Sequence, residues 1–118
     1  LGLDKPFLLA GRPGHRAEDA TWDAFWPHLR GPRMELAVNG TAHGAFTDRP
    51  ALLGVFDFPA PVRAALRPLL GSIEAPRLDA VLNGLLVRFF ALAMDGRDGP
   101  LRGVEGAFGE LSVVRSSL

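Results

Sequence analysis

The sequence contains no cysteine, and this absence removes several kinds of chemistry. Without thiols the chain cannot form disulfides, use a thiolate nucleophile or bind zinc through sulfur. The absence does not select a cellular compartment, because secreted proteins can also lack disulfides. The composition therefore leaves the localisation open.

An excess of charge of either sign and a long apolar run are also missing. Thirteen basic residues balance 13 acidic ones, so no electrostatic footprint for a nucleic acid or an anionic membrane is present. The longest wholly apolar run, residues 89–94, is far shorter than the roughly 20 residues that cross a bilayer. We expect neither a nucleic-acid partner nor a transmembrane segment.

The first six residues lack an initiator methionine and the basic then apolar pattern of a secretory leader. We therefore expect further sequence upstream of Leu1. The 118 residues suit one domain, and 47% hydrophobic content with 22% charged residues argues against disorder.

The first third of the chain predicts a strand, a helix and a second strand. Residues 6–10 form a short apolar run typical of a strand buried on both faces, and residues 33–38 alternate as a strand does. Between them we expect a helix capped by Asp19 or Thr21. That helix is predicted to carry four apolar side chains on one face: Trp22, Phe25, Trp26 and Leu29.

A strand, helix and strand of this length are typical of a βαβ unit with parallel strands and a right-handed crossover. Parallel strands normally lie within larger sheets that helices cover on both faces. Two such strands alone would leave Phe7, Leu9 and Leu36 exposed. The pattern therefore predicts a sheet with more strands than this chain supplies.

Downstream of residue 50 the sequence predicts mainly helices. Residues 51–58 indicate a turn of helix followed by a loop, and apolar residues after Pro61 recur at helical spacing. Pro68 is expected to kink that helix or end it near Arg67, because proline removes an amide donor.

A long, deeply buried helix is predicted from about residue 76 to residue 94. Gly84 within it costs about 1 kcal/mol relative to alanine, which indicates close packing at that point. A glycine-rich segment follows, and residues 111–114 form a possible terminal strand.

The most chemically suggestive segment is the loop at residues 40–48, which follows the second predicted strand and carries His43. Small neighbours such as Gly40, Ala42 and Gly44 allow a sharp turn and close approach of another loop. A general base needs this position at the carboxyl edge of a parallel sheet, with one ring nitrogen free toward a nucleophile. The alternative is a structural histidine, and spacing alone slightly favours that alternative.

Other ionisable candidates are weaker. His15 follows the first strand and with His43 makes only an incomplete metal-ligand set, so no metal site is expected. His28 should face solvent. Glu18 and Asp19 could orient His43, although a carboxylate in the first turn of a helix is more often a capping group.

A nucleophile for His43 is not evident. The chain has four serines, and none lies in a Gly-x-Ser-x-Gly elbow between a strand and a helix. Each is better explained as a break or a tail residue: Ser72, Ser112, Ser116 and Ser117.

The sequence resembles the C-terminal part of the α/β-hydrolases related to platelet-activating-factor acetylhydrolase and of their bacterial esterase and lipase relatives. The histidine loop with the Phe-Thr-Asp that follows it is the most specific part of the resemblance, which continues more weakly to Glu110. The matching segments are residues 5–9, residues 14–15, Asp19, Trp22, residues 25–26, residues 42–44 and residues 46–48.

The resemblance implies an α/β fold of which residues 1–118 are a single partial domain. They would supply the last two parallel strands with their crossover helix and then the C-terminal helices, incomplete without upstream strands. His43 would correspond to the catalytic histidine. Since the order in this fold is nucleophile, acid, histidine, the serine elbow and the oxyanion-hole donors would precede Leu1.

The position of the acid distinguishes two branches of the family. Many α/β-hydrolases carry it after the penultimate strand, where residues 11–16 contain none. In the acetylhydrolase branch the acid follows the preceding strand, which would also lie upstream. The resemblance thus favours that branch, with Glu18 or Asp19 as the alternative.

The implied function is that of a serine esterase or lipase cleaving carboxylic esters, including lipids, without metal or organic cofactor. The segment alone would be inactive, its partner being the upstream part of the same hydrolase or a complementary chain. The resemblance is compatible with a soluble, secreted protein, but the localisation is unknown and secretion stays open. Substrate identity, acyl length and oligomeric state stay open.

Two further hypotheses differ in class. A non-catalytic interaction domain would have a structural His43 and dock a partner through Trp22, Trp26 and residues 89–90. A complete small hydrolase with an unusual site is the less favoured of the two.

Overall fold

The computed structural model describes residues 2–118, so Leu1 lies outside the described part of the predicted domain. Within residues 2–118, nine regular elements follow one another, with two short 3₁₀ turns at Trp26–His28 and His43–Phe46. The elements are β1 (Phe7–Gly11), α1 (His15–Glu18), α2 (Thr21–Phe25), β2 (Arg33–Val38), α3 (Arg49–Val55), α4 (Ala60–Leu70), α5 (Ala75–Asp95), α6 (Val104–Ala107) and β3 (Leu111–Ser116) in chain order, the last closing the sheet.

The predicted parallel pair is confirmed. β1 pairs with β2 in parallel from Phe7 opposite Arg33 to Gly11 opposite Ala37, and α1 and α2 form the crossover. The predicted terminal strand is also present and extends to Ser116. It lies antiparallel to β2 on the other side, so the mixed α/β domain has a three-stranded sheet in the order β1-β2-β3.

The core lies between one face of the sheet and α5. Alternation along β2 directs Met34, Leu36 and Val38 to this face, where they join apolar side chains of α5. Leu36, which two parallel strands alone would leave exposed, is therefore buried by elements of this chain. The side chains that α5 contributes are Leu78, Val81, Leu85 and Leu92.

The long helix α5 begins and ends within one residue of its predicted bounds. The close packing predicted at Gly84 is confirmed, because the Phe108 ring occupies the space that a Cβ atom would need. Gly96, in the left-handed conformation, caps the C-terminal end of the helix and begins the segment that leads to α6.

The predicted helix through Trp22 and Leu29 is shorter than expected. α2 stops at Phe25, and Trp26–His28 is a 3₁₀ turn that contains Pro27. Proline has no amide to continue the α-helical hydrogen bonds, which explains the early end. The N-cap position is Ala20 rather than Asp19 or Thr21, although the Asp19 carboxylate still accepts a hydrogen bond from the Thr21 amide at 2.8 Å.

Pro68 does not end its helix near Arg67, because α4 continues to Leu70 and is capped by Gly71. Proline removes one amide donor, and one missing backbone hydrogen bond near the helix end does not stop the helix. The turn of helix followed by a loop predicted for residues 51–58 is confirmed, and that helix, α3, begins at Arg49 and ends at Val55.

Helices α3 and α4, here called the α3–α4 arm (residues 49–70), contain no buried residue. The short helices α1 and α6 were not predicted. Within residues 2–118 no helix combines the length and apolarity that crossing a bilayer demands.

Candidate active site around His43

The turn that carries His43 begins where β2 ends. Asn39 donates its amide to the Glu110 carbonyl at 2.7 Å, and Gly40 then takes a positive φ of 82°. The buried Thr41 hydroxyl donates to the Val38 carbonyl at 2.6 Å. These contacts tie the first residues of the turn to the carboxyl end of the central strand.

The C-terminal end of α4 supports the turn from behind. Ala42 donates its amide to the Leu70 carbonyl at 3.4 Å, and Thr41 forms an isolated antiparallel bridge with Gly71. Gly44 is buried so closely that a Cβ atom there would lie 2.9 Å from the Leu69 carbonyl oxygen. Of the small residues noted in the sequence, Gly44 is therefore required by this contact.

The His43 side chain itself is exposed. It opens the 3₁₀ turn His43–Phe46, and neither a hydrogen bond nor an ion pair of its ring occurs within residues 2–118. The next residues are fixed instead, since Ala45 is buried and Thr47 donates its hydroxyl to the Gly44 carbonyl at 2.7 Å. A hydrogen-bonded turn thus places an exposed imidazole at the carboxyl end of the central strand β2.

The carboxylates considered as partners of His43 are engaged elsewhere. Glu18 forms a two-point hydrogen-bonded ion pair with Arg12, at 3.1 and 2.6 Å. Asp19 accepts from the Thr21 amide, and hydrogen bonding from the Thr21 side chain and then from this amide lowers the pKa of its carboxyl group. Both therefore stabilise the crossover, and neither orients His43 in this structure.

The other two histidines lie in the crossover between β1 and β2. His15 starts α1 and packs its ring against Trp22 with centroids 4.1 Å apart, and its Nε2 lies 3.6 Å from the Asp19 carboxylate. His28 is exposed, as predicted. Among the described residues, no group of three histidine, aspartate or glutamate side chains is arranged to hold a metal ion.

The serines have structural contacts. Ser112 accepts a hydrogen bond from the Asn39 side chain at 2.8 Å, and Ser116 accepts one from the Leu118 amide at 3.2 Å. Ser72 follows the bridge at Gly71 and donates its amide to the Gly40 carbonyl. In the part of the chain that the structure describes, no serine hydroxyl is hydrogen-bonded to His43.

The face of the sheet opposite the core carries a charged network that the sequence analysis missed. Glu35 of β2 is 2% exposed and accepts a hydrogen bond from Arg115 of β3 at 2.5 Å. Arg115 also donates to Asp23 at 2.9 Å, and Arg16 pairs with Asp23 at 2.6 Å. The Arg16 hydrogen bond lowers the pKa of Asp23. The only signal was one carboxylate within an apolar strand.

The tryptophans belong to this same face. Trp26 lies beneath the guanidinium groups of Arg115 and Arg33, which are 4.2 and 4.9 Å from its ring centroid. Trp22 packs against Gly11, where a Cβ atom would meet the indole at 2.7 Å. Both indoles are half-buried in contacts within the chain, so they offer little free surface for docking a partner.

Among solved structures, the chain is similar to a ferulic acid esterase from Streptomyces cinnamoneus. The two share 30% sequence identity and superpose with a TM-score of 0.78 over 97% of this chain. This chain resembles an esterase. It spans 35% of the length of that protein.

No family model matches the chain, and a comparison with curated proteins finds no match. The structural similarity supports a relationship to esterase-type hydrolases, in agreement with that part of the sequence resemblance. The predicted catalytic role of His43 is a separate matter and stays a prediction.

Proposed function

We propose that this chain is a segment of a serine carboxylic-ester hydrolase in which His43 is the general base. The similarity to an esterase supports the reaction class. The observation that carries the assignment is the exposed imidazole on a rigid turn at the carboxyl end of β2, without a partner in the described residues. That position suits a base that must reach a nucleophile on another segment.

In the proposed reaction His43 accepts the proton of a serine hydroxyl while the serine oxygen attacks the ester carbonyl carbon. The same imidazolium then donates that proton to the leaving alcohol, and a water molecule later releases the acid by the reverse sequence. The serine, the acid that orients His43 and the oxyanion-hole donors would lie in sequence before residue 1 of this chain. No metal or cofactor takes part in the proposed reaction.

Two features of the fold favour such an upstream part. Within residues 2–118, β1 is an edge strand that pairs only with β2, so its outer side can accept another parallel strand. Large apolar side chains are also exposed on the arm and on α5, among them Val55 at 77% and Met94 at 80%. The similar esterase has about twice as much additional chain as the aligned part, enough for further strands.

The ester class is a narrower proposal. The sequence resemblance to platelet-activating-factor acetylhydrolase and lipases favours lipid esters, whereas the similar structure belongs to a protein named for ferulic acid esters. We favour an aromatic-acid ester, because the structural alignment covers nearly the whole chain. Hydrolysis of methyl ferulate and of a short-chain phospholipid by the same preparation would distinguish the two classes.

Replacing His43 with alanine in the complete protein tests the catalytic proposal. We expect kcat to fall by several orders of magnitude with the melting temperature nearly unchanged, since a triad histidine is removed from an exposed position. His28→Ala is the matched control, because His28 is equally exposed and lies after α2. It should retain full activity.

A fluorophosphonate probe provides the second arm of the test. The complete protein should be labelled on a serine outside this chain, and the 118 residues alone should not be labelled. Labelling of Ser72, Ser112, Ser116 or Ser117 would show that the nucleophile lies within the chain. Full activity of the His43→Ala protein would refute the role of His43.

A further inference from the structure

A surface cavity of about 480 Å³ lies between the second half of α5 and the segment that leads into α6. None of its lining residues belongs to the His43 turn. Its lining combines apolar side chains with three arginines. The apolar ones are Val87, Ala91, Pro100, Val104 and Ala107, and the arginines are Arg88, Arg97 and Arg102.

The wall opposite α5 is held in place by the core. Leu101 and Val104 are each 1% exposed, and the Asp98 carbonyl accepts the amides of Leu101 and Arg102 at 2.9 and 3.0 Å. This segment is therefore packed against the core, and it forms a fixed side of the cavity. Its volume falls within the range of small-molecule sites, which is roughly 300–1,000 Å³.

The three arginines differ in how their charge is balanced. Arg97 pairs with Asp95 at 2.9 Å and Arg102 pairs with Asp98 at 2.7 Å. Arg88 forms no ion pair within residues 2–118. The cavity therefore has one guanidinium whose positive charge has no carboxylate opposite it.

Arg88 is also held in one orientation. Its Nη1 donates to the Gly84 carbonyl at 2.9 Å, and its guanidinium lies over the Phe108 ring, 5.0 Å from the centroid. Its Nε and Nη2 groups have no acceptor among the described residues. Two donors on a fixed, planar cation are suited to the two oxygens of a carboxylate.

We propose that this cavity binds a small monocarboxylate with an apolar body, its carboxylate on Arg88 and its body against Val87, Ala91 and Val104. One unbalanced cation selects one negative charge, because Asp95 and Asp98 already neutralise the other arginines and would repel a polyanion. The apolar walls select a hydrocarbon or aryl body. This site is distinct from the proposed ester-hydrolysis site and does not depend on it.

Octanoate is a suitable probe, with octanamide as its neutral counterpart. Added to the complete protein with ¹³C-labelled alanine and valine methyls, octanoate should shift the methyl signals of Val87, Ala91, Val104 and Ala107. Octanamide should bind at least about tenfold more weakly, since the hydrogen bonds to a charged partner are lost. Equal binding of the amide would overturn the proposal.

Arg88→Gln should reduce octanoate affinity by about tenfold or more. Arg67→Gln is the matched control, because Arg67 is an exposed helical arginine that lies outside the cavity. Ala91→Leu, which fills the cavity and keeps Arg88, should abolish the methyl shifts. All three variants are compared at temperatures where their melting curves show a folded protein.

The proposal fails if the lining methyls do not respond to octanoate. It fails equally if Arg88→Gln or Ala91→Leu binds octanoate as tightly as Arg67→Gln does. A response confined to methyls outside the cavity would place octanoate at another site and would likewise overturn it.

Discussion

Helix α5 and the α3–α4 arm are both helical and rich in apolar residues, yet the domain buries them very differently. α5 places Leu78, Val81 and Leu85 against the sheet with at most 3% exposure, whereas no residue of the arm is buried. Helical pattern alone therefore does not report burial. The His43 turn lies between the two regions, joined to the end of β2 and to the end of α4.

This difference in burial divides the domain into two parts: a scaffold, formed by the sheet and α5, and the α3–α4 arm attached to it. The sheet and α5 carry the core and fix the start of the His43 turn, while the arm contacts mainly that turn and one side of α5. Stability should reside in the scaffold. Substitutions in the arm should change what surrounds the imidazole more than they change the fold.

The largest expected contrast comes from the same substitution in both regions. Leu85→Ala should lower the free energy of unfolding by about 2–5 kcal/mol, because a fully buried side chain leaves a cavity. Leu52→Ala in the arm should cost less than about 0.5 kcal/mol, since Leu52 is 58% exposed. Urea denaturation measures both free energies of unfolding. Similar losses for the two variants would show that other parts of the protein bury the arm.

A smaller effect is expected where the arm joins the scaffold. Gly71→Ala should cost about 1–3 kcal/mol, because Gly71 has a φ of 90° and a Cβ atom would collide with Gly40 and lie 2.8 Å from the Thr41 Cα. The matched control is Gly54→Ala in α3, where a Cβ meets no atom within 4 Å. It should stabilise the chain by up to about 1 kcal/mol.

These two variants also separate structure from activity. If the bridge at Gly71 positions the His43 turn, Gly71→Ala should lower the ester-hydrolysis rate of the complete protein beyond its loss of stability. A Gly71→Ala protein with unchanged rate and stability would show that the turn does not need the arm.

The smallest effect concerns the charged network on the scaffold. Arg16 lowers the pKa of Asp23 from an ordinary value of 3.8, so the folded state binds fewer protons than the unfolded state near that pH. The resulting stabilisation is present above about pH 4 and is lost as the pH falls through the lowered pKa. Stability of the unmodified chain should therefore decline more steeply with acid than that of Asp23→Asn.

Asp48→Asn serves as the control for this titration, because Asp48 is exposed and forms no ion pair within the described residues. Its acid sensitivity should match that of the unmodified chain in thermal melts between pH 2 and 5. Parallel curves for the Asp23→Asn and unmodified proteins would remove the Arg16 contact as a source of stability.

Much of the fold could be predicted because its signals are local. Approximate alternation in residues 33–38 identified β2 to the residue, and the apolar face of α5 set its length. The same reasoning failed at Pro27 and Pro68, where the outcome depends on how near a proline lies to a helix end.

The Glu35–Arg115 contact could not be predicted for a different reason. The two residues are 80 positions apart, and they meet because β3 pairs with β2 through an irregular register between Glu35 and Leu36. Likewise, small residues around His43 indicated a tight turn, but the support from Leu69, Leu70 and Gly71 depends on tertiary packing.

The bridge between Thr41 and Gly71 has one more consequence. The chain turns away from the end of β2 at Gly40 and returns to the same place at Ser72 and Ile73, whose amides both donate to the Gly40 carbonyl. Hydrogen bonds hold the two ends of residues 41–71 together. The outer part of this segment can therefore become longer or shorter, or be replaced, without displacing β2. Evolution and engineering can therefore vary the residues around the His43 imidazole and keep the contacts that join its turn to the end of β2.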